Sequence, residues 1–445
     1  MRGVFPAQPR RGRILRLAFP IIGAMVSQNL LNLVSTAFVS TLGDQALAAV
    51  GYGSFANFMS IAFVTGLAAG VQAMAARRKG AGAESETAVP LNGGLLLAIG
   101  FGVPIAAASY LLAPSAFPLL TSDTEVVELG TEYLQIRLLA VPAIGMNFAF
   151  RGYWNAVDLA KVYLRTLLVM HFVNAGLDYV LIFGAFGAPR LGVEGAAWAN
   201  LAANWTGTIY YFVQALVRTR GNGFLRGIPS SSTMWTMLRT SLPAAVQQFL
   251  FAAGMTVFFT IVGKLGTAEV AATTVLLNLL LVALLPAMGF GIAAASLVGQ
   301  ALGQRDPRDA RRWGWDVVRT AVPIVTLIAS VGLVFPDLVL GLFLHDADTL
   351  ALARWPLRLI ALSLPIDVVG AVLLNALLGA GDSARVLVIS TAMQWLIFLP
   401  IAYFVGPYLG LGLTAIWLAN VLYRLAQSGI FASVWAGDRW TLVKM

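Results

Sequence analysis

The sequence predicts an all-α polytopic membrane protein with about 12 transmembrane helices, arranged in two pseudo-symmetric six-helix lobes. Three observations support this fold class: charge is scarce, apolar stretches are long enough to cross a bilayer, and several residues recur at one fixed offset. Only 11% of the 445 residues are charged and 59% are hydrophobic, whereas a soluble domain carries roughly 25% charged residues because its surface contacts water. Much of the surface of this chain is therefore expected to contact lipid.

Twelve apolar stretches have the length of about 20 residues that a helix needs to cross the hydrocarbon core. The connections between them are short and leave no room for a separate soluble domain. The predicted spans cover residues 14–42, 47–75, 91–114, 130–152, 162–186, 192–217, 240–263, 270–301, 315–344, 352–379, 385–406 and 411–435.

Basic residues are concentrated in every second connection, which predicts the orientation of the chain in the membrane. Examples are the run Arg77-Arg78-Lys79 and the pair Arg311-Arg312, whereas the alternate connections contain acids such as Asp123 and Asp346. Because positively charged loops stay in the cytoplasm, both termini are expected there, in a protein of the cytoplasmic (inner) membrane. The net charge of +9 is then a topological signal, and no nucleic-acid partner is expected.

Residues in the two halves match at an offset of 223 positions. The matches include Pro20 with Pro243, Leu42-Gly43 with Leu265-Gly266, and Pro142 with Pro365. We therefore divide the sequence into an N-terminal lobe over residues 1–222, with spans one to six, and a C-terminal lobe over residues 223–445, with spans seven to twelve. An even number of spans gives both lobes the same orientation, as in transporters built from parallel repeats.

Several classes of function lack the residues they need. The chain has no cysteine and only two histidines, so a thiolate or zinc site has almost no ligands available. The sequence contains no motif for nucleotide binding and none of the common hydrolase motifs. We expect neither an enzyme nor a bound cofactor.

Motifs in both halves resemble one known family. Pro20 is followed by Leu33-Val34-Ser35-Thr36-Ala37-Phe38-Val39 and later by Asn174-Ala175-Gly176-Leu177-Asp178, and the second half contains Leu297-Val298-Gly299-Gln300-Ala301-Leu302-Gly303. These segments resemble the multidrug and toxic compound extrusion (MATE) transporters, and the likeness covers nearly the whole chain. The resemblance implies export of amphipathic, often cationic small molecules, driven by inward flow of H⁺ or Na⁺.

Acids inside predicted spans are the main candidate site residues, because a charge in the membrane costs about 2.5–3.5 kcal/mol on insertion scales. Asp178 lies in span five, where Asn174 and His171 share its helical face. The resemblance implies that Asn174 and Asp178 form a polar pocket in the first lobe, and that Asn200 of span six occupies a position where the family often has a hydroxyl. The alternative interpretation is interhelical hydrogen bonding without a role in transport.

Span one departs from the family pattern. Many members have an Asp fifteen residues after the proline that matches Pro20, and here that position is Ser35. A serine does not exchange a proton at useful pH, which questions any scheme that protonates this span and bends it at Pro20. The span still carries a polar stripe that includes Gln28 and Asn32. Oxygens of Ser35 and Asn32 suit a Na⁺ ion, for which Asp178 is the only obvious carboxylate nearby, so the choice between H⁺ and Na⁺ stays open.

Asp367, in span ten, resembles an acid that the family places there. Arg424, inside span twelve, is the rival explanation, because an ion pair would keep the carboxylate charged and prevent it from exchanging a proton. Asp367 is therefore either a coupling or substrate residue, or one half of a structural pair.

These observations predict a monomeric secondary antiporter that exports amphipathic or cationic small molecules (multidrug efflux) by alternating access, coupled to H⁺ influx in preference to Na⁺. One alternative is a flippase for lipid-linked oligosaccharides or other lipids, from the same fold group. Such a protein is expected to have a strongly cationic cavity for phosphate groups, and the deepest charges here are two acids and one arginine. Another alternative is a channel-like membrane protein without coupling to a gradient.

Overall fold

The structure, a computed structural model, describes residues 6–344 and 346–443. The described part of the chain is almost entirely α-helical and contains no β-strand. We number its twelve long helical segments α1 to α12. They are α1 (Gln8–Ser40), α2 (Asp44–Gly80), α3 (Val89–Ala116), α4 (Thr124–Leu138 and Val141–Ala156), α5 (Ala160–Phe183), α6 (Gly192–Arg218), α7 (Ser231–Gly263), α8 (Thr267–Gly303), α9 (Pro307–Val334), α10 (Ala347–Ala380), α11 (Ser383–Tyr408) and α12 (Gly412–Ala436).

Length and composition identify most of these helices as membrane spans. Within the described residues, nine helices are long and apolar enough to cross a bilayer, and the two pieces of α4, bent by 49° at their break, give a tenth. The other two, α6 and α12, have 27 and 25 residues and carry polar side chains such as Asn200 and Arg424. Each predicted span overlaps one of these helices, and the predicted all-α polytopic fold is confirmed. The ninth predicted span, 315–344, is too long at its end, because α9 stops at Val334 and a separate short helix, Pro336–Leu340, follows.

Contacts within the chain define two compact units. The first unit runs from Gly23 to Ala245, and the second unit contains the residues up to Ile22 together with those from Val246 onward. Helices α1 and α7 each supply residues to both units. The two points of division, before Gly23 and before Val246, are 223 residues apart, which is the offset of the sequence repeat. The lobe boundary that we predicted between residues 222 and 223 coincides with neither point of division and stays a prediction.

In the unit from Gly23 to Ala245, α5 and α6 pack closely because α6 has a glycine at the point of contact. A Cβ atom at Gly195 would lie 2.7 Å from the backbone carbon and oxygen of Leu181, which is too close for any side chain. Val39 of α1, Ile182 of α5 and Val193 of α6 belong to one buried hydrophobic cluster near this contact. The packing therefore fixes α5 against the two helices that carry most of the other candidate residues.

A comparable close contact joins α8 and α10 in the other unit, where Gly379 lies directly against the backbone of Ala295. The small residue again allows two long helices to approach at backbone distance, as is common in membrane proteins. Asp367, three turns before Gly379 on α10, is held in the same unit as α12 and its Arg424.

Helix α11 contains two π-helical segments, Ala392–Phe398 and Phe404–Tyr408, which the sequence pattern did not predict. In the first of them, Gln394 and Trp395 donate side-chain hydrogen bonds to the backbone oxygens of Phe251 and Leu250 in α7, at 3.2 and 3.1 Å. π-segments often occur at functional sites, because the wider turn redirects side chains. Here it turns two polar side chains toward α7.

The first turns of α1 are attached to α9 within the same unit. Arg10 forms ion pairs with Asp309 and Asp316, both at 2.6 Å, and its guanidinium carbon lies 3.7 Å from the centre of the Trp313 ring. Paired charges and a cation–π contact of this kind hold the start of a helix in place.

Candidate functional site

Asp178, on α5, is fully buried in the unit from Gly23 to Ala245. Its Oδ2 accepts hydrogen bonds from Ser35 Oγ on α1 and from Asn174 Nδ2 one turn earlier on α5, each at 2.6 Å. The second oxygen, Oδ1, has no hydrogen-bond partner among the described residues. Because buried polar groups in proteins are nearly always satisfied, the unused oxygen marks a place where a proton or a cation can bind.

A line of amides continues from Asp178 toward α6. Asn174 accepts a hydrogen bond from Asn200 Nδ2 at 3.3 Å, and Asn204 Nδ2 donates to Asn200 Oδ1 at 3.1 Å. Asn174 is buried, and the other two amides are half-buried. The structure thus joins Asn174, Asp178 and Asn200, which were predicted separately, in one hydrogen-bonded network that also includes Ser35.

A second polar group lies on the same helices, α1 and α5. His171 Nε2 is 3.2 Å from Gln28 Oε1, and Gln28 Nε2 donates to Asn32 Oδ1 at 3.1 Å. The polar stripe of α1 is therefore divided: Gln28 contacts His171 and also donates to Asn32, whereas Ser35 contacts Asp178. His171 shares a helical face with Asp178 but bonds to a different partner.

The electrostatic surroundings of Asp178 are almost neutral at contact distance. None of the ion pairs found among the described residues includes Asp178. Arg137 of α4 interacts with the carboxylate at longer range, and its guanidinium donates to the Tyr133 hydroxyl at 2.6 Å. Arg137 was not among the candidate site residues predicted from the sequence, because its position along the chain carries no signal that connects it to Asp178.

Oxygen atoms that can bind a cation beside Asp178 belong to Ser35, Asn174 and the carboxylate itself. The described residues contain no group of three or more His, Asp or Glu side chains arranged to hold a metal ion. Hard divalent cations need several oxygen ligands, usually including more than one carboxylate. One carboxylate among neutral groups is suited to one proton or one monovalent cation, either of which neutralises its charge.

Asp367 has a different partner. Its Oδ2 lies 3.4 Å from Arg424 Nη1 of α12, and only 2% of the Asp367 side chain is exposed. The sequence left open whether the two residues meet, and the structure pairs them. Asp367 Oδ1 and Arg424 Nε are buried without a hydrogen-bond partner in the described part of the chain, so the pair leaves part of its polar capacity unused.

Pro20 lies inside α1, which continues as one helix from Gln8 to Ser40. A proline at this position removes the hydrogen bond to the carbonyl four residues earlier and weakens the helix locally. Pro20 is buried and belongs to the part of α1 that packs in the second unit, whereas Ser35 belongs to the first. Its role in bending stays a prediction.

Comparison with known proteins identifies the family. A MatE family model matches residues 20–180 and again residues 243–404, which together make up more than half of the chain. The two matches begin at Pro20 and Pro243, and the internal repeat predicted at an offset of 223 residues is thereby confirmed.

Proteins with similar sequences align with this chain over almost its full length. A probable multidrug resistance protein NorM of Burkholderia mallei is 30% identical over 418 residues, which cover 90% of this chain and 87% of that protein. A protein with the same description from a Synechococcus species is 29% identical over 435 residues, with coverage of 94% and 92%.

A solved structure with the same fold is described as the outward-facing conformation of a multidrug resistance MATE family transporter. It has a TM-score of 0.90 and 24% sequence identity, and the alignment covers 100% of this chain and 99% of that one. The two family-model matches, the relatives and the shared fold agree, and this multi-pass membrane protein belongs to the MatE family, the multidrug and toxic compound extrusion transporters.

Proposed function

We propose that this transporter is a secondary antiporter that exports amphipathic, cationic small molecules in exchange for H⁺, and that both ions compete for Asp178. The description of its relatives as multidrug resistance proteins supports the class of cargo. The observation that carries the coupling role is the buried carboxylate itself, whose Oδ2 meets two neutral donors while Oδ1 is free.

The burial of this charge provides the reason for exchange. A carboxylate held away from water without a charged partner raises the free energy of the protein by several kcal/mol, roughly 2.5–3.5 on insertion scales. Binding of either a proton or an organic cation removes that penalty, and one carboxylate is neutralised only once. Each ion therefore lowers the affinity for the other, and this coupling acts equally in both directions.

The transport cycle alternates the access of Asp178 between the two sides of the membrane. A cationic molecule binds the ionised carboxylate from the cytoplasm and is replaced on the outer side by a proton, which is more concentrated there. The proton is released to the cytoplasm when the site faces inward again. One proton enters for each positive charge that leaves, and weakening of α1 at Pro20 assists the change in access.

The neighbours of Asp178 favour H⁺ over Na⁺ as the coupling ion. Ser35 and Asn174 both direct hydrogen atoms at the carboxylate. To bind Na⁺, the Asn174 amide would have to turn so that its oxygen faces the ion, and the site would still hold a single carboxylate. Binding of a proton to Oδ1 needs no such rearrangement.

Three further parts of the proposal concern the whole molecule. The excess of basic residues in alternate connections supports an orientation with both termini in the cytoplasm. The bacterial relatives support the cytoplasmic membrane as its location. We propose a monomer as the working unit, since each MatE repeat and its candidate residues occur within one chain.

The test is ethidium transport by purified protein in proteoliposomes, with a pH gradient and a Na⁺ gradient imposed separately. We expect the pH gradient alone to drive accumulation and the Na⁺ gradient alone to drive none. The variant Asp178→Asn should reduce pH-driven accumulation to that of protein-free liposomes, because the amide does not exchange protons.

Asp158→Asn is the matched control. Asp158 has a backbone φ of 64°, a conformation that asparagine also adopts readily, and it pairs with Lys79 away from the network around Asp178. This variant should retain pH-driven transport. Full transport by Asp178→Asn would refute the coupling role, and equal flux without any gradient dependence would indicate a channel-like protein.

A further inference from the structure

The second unit contains a pocket of about 150 Å³ lined by α7, α8, α10, α11 and α12. An apolar cavity of about 150 Å³ accommodates a single benzene ring, so the pocket has room for a small apolar group. Apolar side chains such as Phe251, Met288 and Phe431 form part of its wall, and Gln247 and Gln427 provide neutral polar groups. The pocket therefore suits a molecule with an apolar body and a few polar substituents.

Two opposite charges face this pocket side by side. Asp367 and Arg424 are the only carboxylate and the only base among the described residues that line it. Their closest atoms are 3.4 Å apart, whereas charge-assisted N–H···O bonds are typically about 2.7–2.9 Å long. The pair is thus longer than a typical charge-assisted bond, and a ligand can bind beside the two charges.

Both charged side chains also have polar atoms that the protein does not satisfy. Asp367, which is 4% exposed, has no partner for Oδ1, and Arg424 has none for Nε among the described residues. A pair with a purely structural role is expected to have its remaining donors and acceptors bonded, because unsatisfied buried groups are costly. The unused oxygen of Asp367 can accept a hydrogen bond from a ligand, and the unused N–H of Arg424 can donate one to the same ligand.

The two opposite charges disfavour ligands that carry a charge of only one sign. A simple cation would be attracted by Asp367 and repelled by Arg424, and a simple anion would meet the reverse. A molecule with an ammonium group and a carboxylate a few bonds apart would satisfy both side chains at once. We propose that this pocket is a binding site for amphipathic zwitterions, small molecules with one ammonium and one carboxylate on an apolar body.

The site differs from the one around Asp178 in both residues and charge. Its walls come entirely from the second unit, whereas Asp178 and its partners belong to the first. Zwitterion binding does not change the net charge of the pocket and does not require a proton to leave. The inference goes beyond the proposed antiport and holds independently of the coupling role of Asp178.

The experiment compares three ligands that share one apolar body and differ only in charge. They are L-phenylalanine, which is a zwitterion, its methyl ester, which is a cation, and its N-acetyl derivative, which is an anion. Binding to the purified full-length protein in detergent is measured by equilibrium dialysis with radiolabelled ligand. We expect the zwitterion to bind at least about tenfold more tightly than either derivative, a difference of about 1.4 kcal/mol.

Two variants should reverse the preference in opposite directions. Arg424→Gln leaves the negative charge alone, so the methyl ester should become the preferred ligand. Asp367→Asn leaves the positive charge alone, so the N-acetyl derivative should become preferred. A side chain that acts only in packing would weaken all three ligands together and would not invert their order.

The double variant Asp367→Asn/Arg424→Gln keeps the pocket neutral and avoids an unpaired buried charge. It should bind the three ligands with similar affinity, and it decides the matter if a single variant fails to elute as a folded protein in size-exclusion chromatography. Asp178→Asn should leave zwitterion binding unchanged, which separates this inference from the proposed antiport.

Three results would overturn the inference. One is equal affinity of the wild-type protein for the three ligands. Another is no binding of the zwitterion with a Kd below about 1 mM. The third is a double variant that still prefers the zwitterion as strongly as the wild type.

Discussion

Two buried carboxylates within the membrane spans of this transporter, Asp178 and Asp367, differ in their partners far more than in their burial. Their exposed fractions are 0% and 4%. Asp178 accepts hydrogen bonds from a serine and an asparagine, whereas Asp367 lies beside the guanidinium of Arg424. Burial of an acid in a membrane span therefore does not by itself assign an ion-coupling role, because the charge of the neighbouring side chain determines what the acid can bind.

The difference has a simple physical origin. A buried ion pair carries its own compensation, since each charge offsets the other at all times. A buried carboxylate whose direct contacts are all neutral has no such compensation at contact distance and can take it from a mobile ion. Exchange of ions is thus expected at Asp178, and recognition of paired charges at Asp367 and Arg424.

The largest expected effect is on the stability of the protein, which should respond differently to changes at the two carboxylates. Arg424→Gln should destabilise the protein by about 3–5 kcal/mol, because it leaves the Asp367 carboxylate buried without a partner. Thermal denaturation in detergent measures the change. Asp178→Asn should be neutral or stabilising in the same assay, because it removes a charge that has no partner to lose.

Restoring neutrality gives the control for this prediction. Adding Asp367→Asn to Arg424→Gln should recover most of the lost stability, since neither residue then carries an uncompensated charge. Equal destabilisation by Arg424→Gln alone and by the double variant would contradict the ion pair as the cause.

A change at Gly195 tests whether helix packing maintains the network around Asp178. Gly195→Ala places a methyl group 2.7 Å from the backbone of Leu181, so α6 must move away from α5 at a cost of about 1–3 kcal/mol. We expect a lower denaturation temperature and slower pH-driven ethidium transport, with zwitterion binding in the second unit unchanged.

Gly176→Ala on α5 is the matched control, because a Cβ atom there meets nothing within 4 Å. It should be neutral or slightly stabilising, since alanine favours a helix by roughly 0.8–1.0 kcal/mol over glycine. If both variants have the same effect, the close contact between α5 and α6 does not explain the role of Gly195.

The smallest expected effect concerns the hydroxyl of Ser35. Ser35→Ala removes one of the two donors to the ionised Asp178 carboxylate, and a hydrogen bond to a charged group contributes about 1.5–3 kcal/mol. The affinity for a cationic substrate should therefore fall at least about tenfold in equilibrium binding, while transport stays driven by the pH gradient.

Thr36→Ala provides the comparison on the same helix turn. The Thr36 hydroxyl donates to the Asn32 backbone oxygen within α1 and does not contact Asp178. Its loss should leave substrate affinity within about twofold of the wild type, since exposed substitutions rarely exceed about 0.5 kcal/mol. An equal loss of affinity in both variants would show that the Ser35–Asp178 bond is not responsible.

The sequence predicted the features that follow from periodicity along one helix. Apolar length predicted the spans, and helical spacing placed Asn174 and Asp178 on one face, where the structure bonds them. The repeat at 223 residues was visible because proline and glycine matches are hard to produce by chance in an apolar sequence.

Contacts between helices were not predictable in the same way. The hydrogen bond from Ser35 to Asp178 joins residues 143 positions apart, and it depends on how α1 and α5 are aligned along their axes. The same lack of information hid the longer-range influence of Arg137 and left the pairing of Asp367 with Arg424 open. It also concealed the π-helical segment Ala392–Phe398 of α11, whose hydrogen bonds to α7 exist only in the folded protein.

The most direct test of ion competition at Asp178 is to count the protons released when a permanent organic cation binds. Tetraphenylphosphonium has no proton of its own, and it is added to weakly buffered, detergent-solubilised protein at a pH where the site is occupied by a proton. We expect about one proton released per bound cation by the wild type and by Asp367→Asn, and none by Asp178→Asn. Binding without proton release by the wild type, or unchanged release by Asp178→Asn, would contradict competition at this carboxylate.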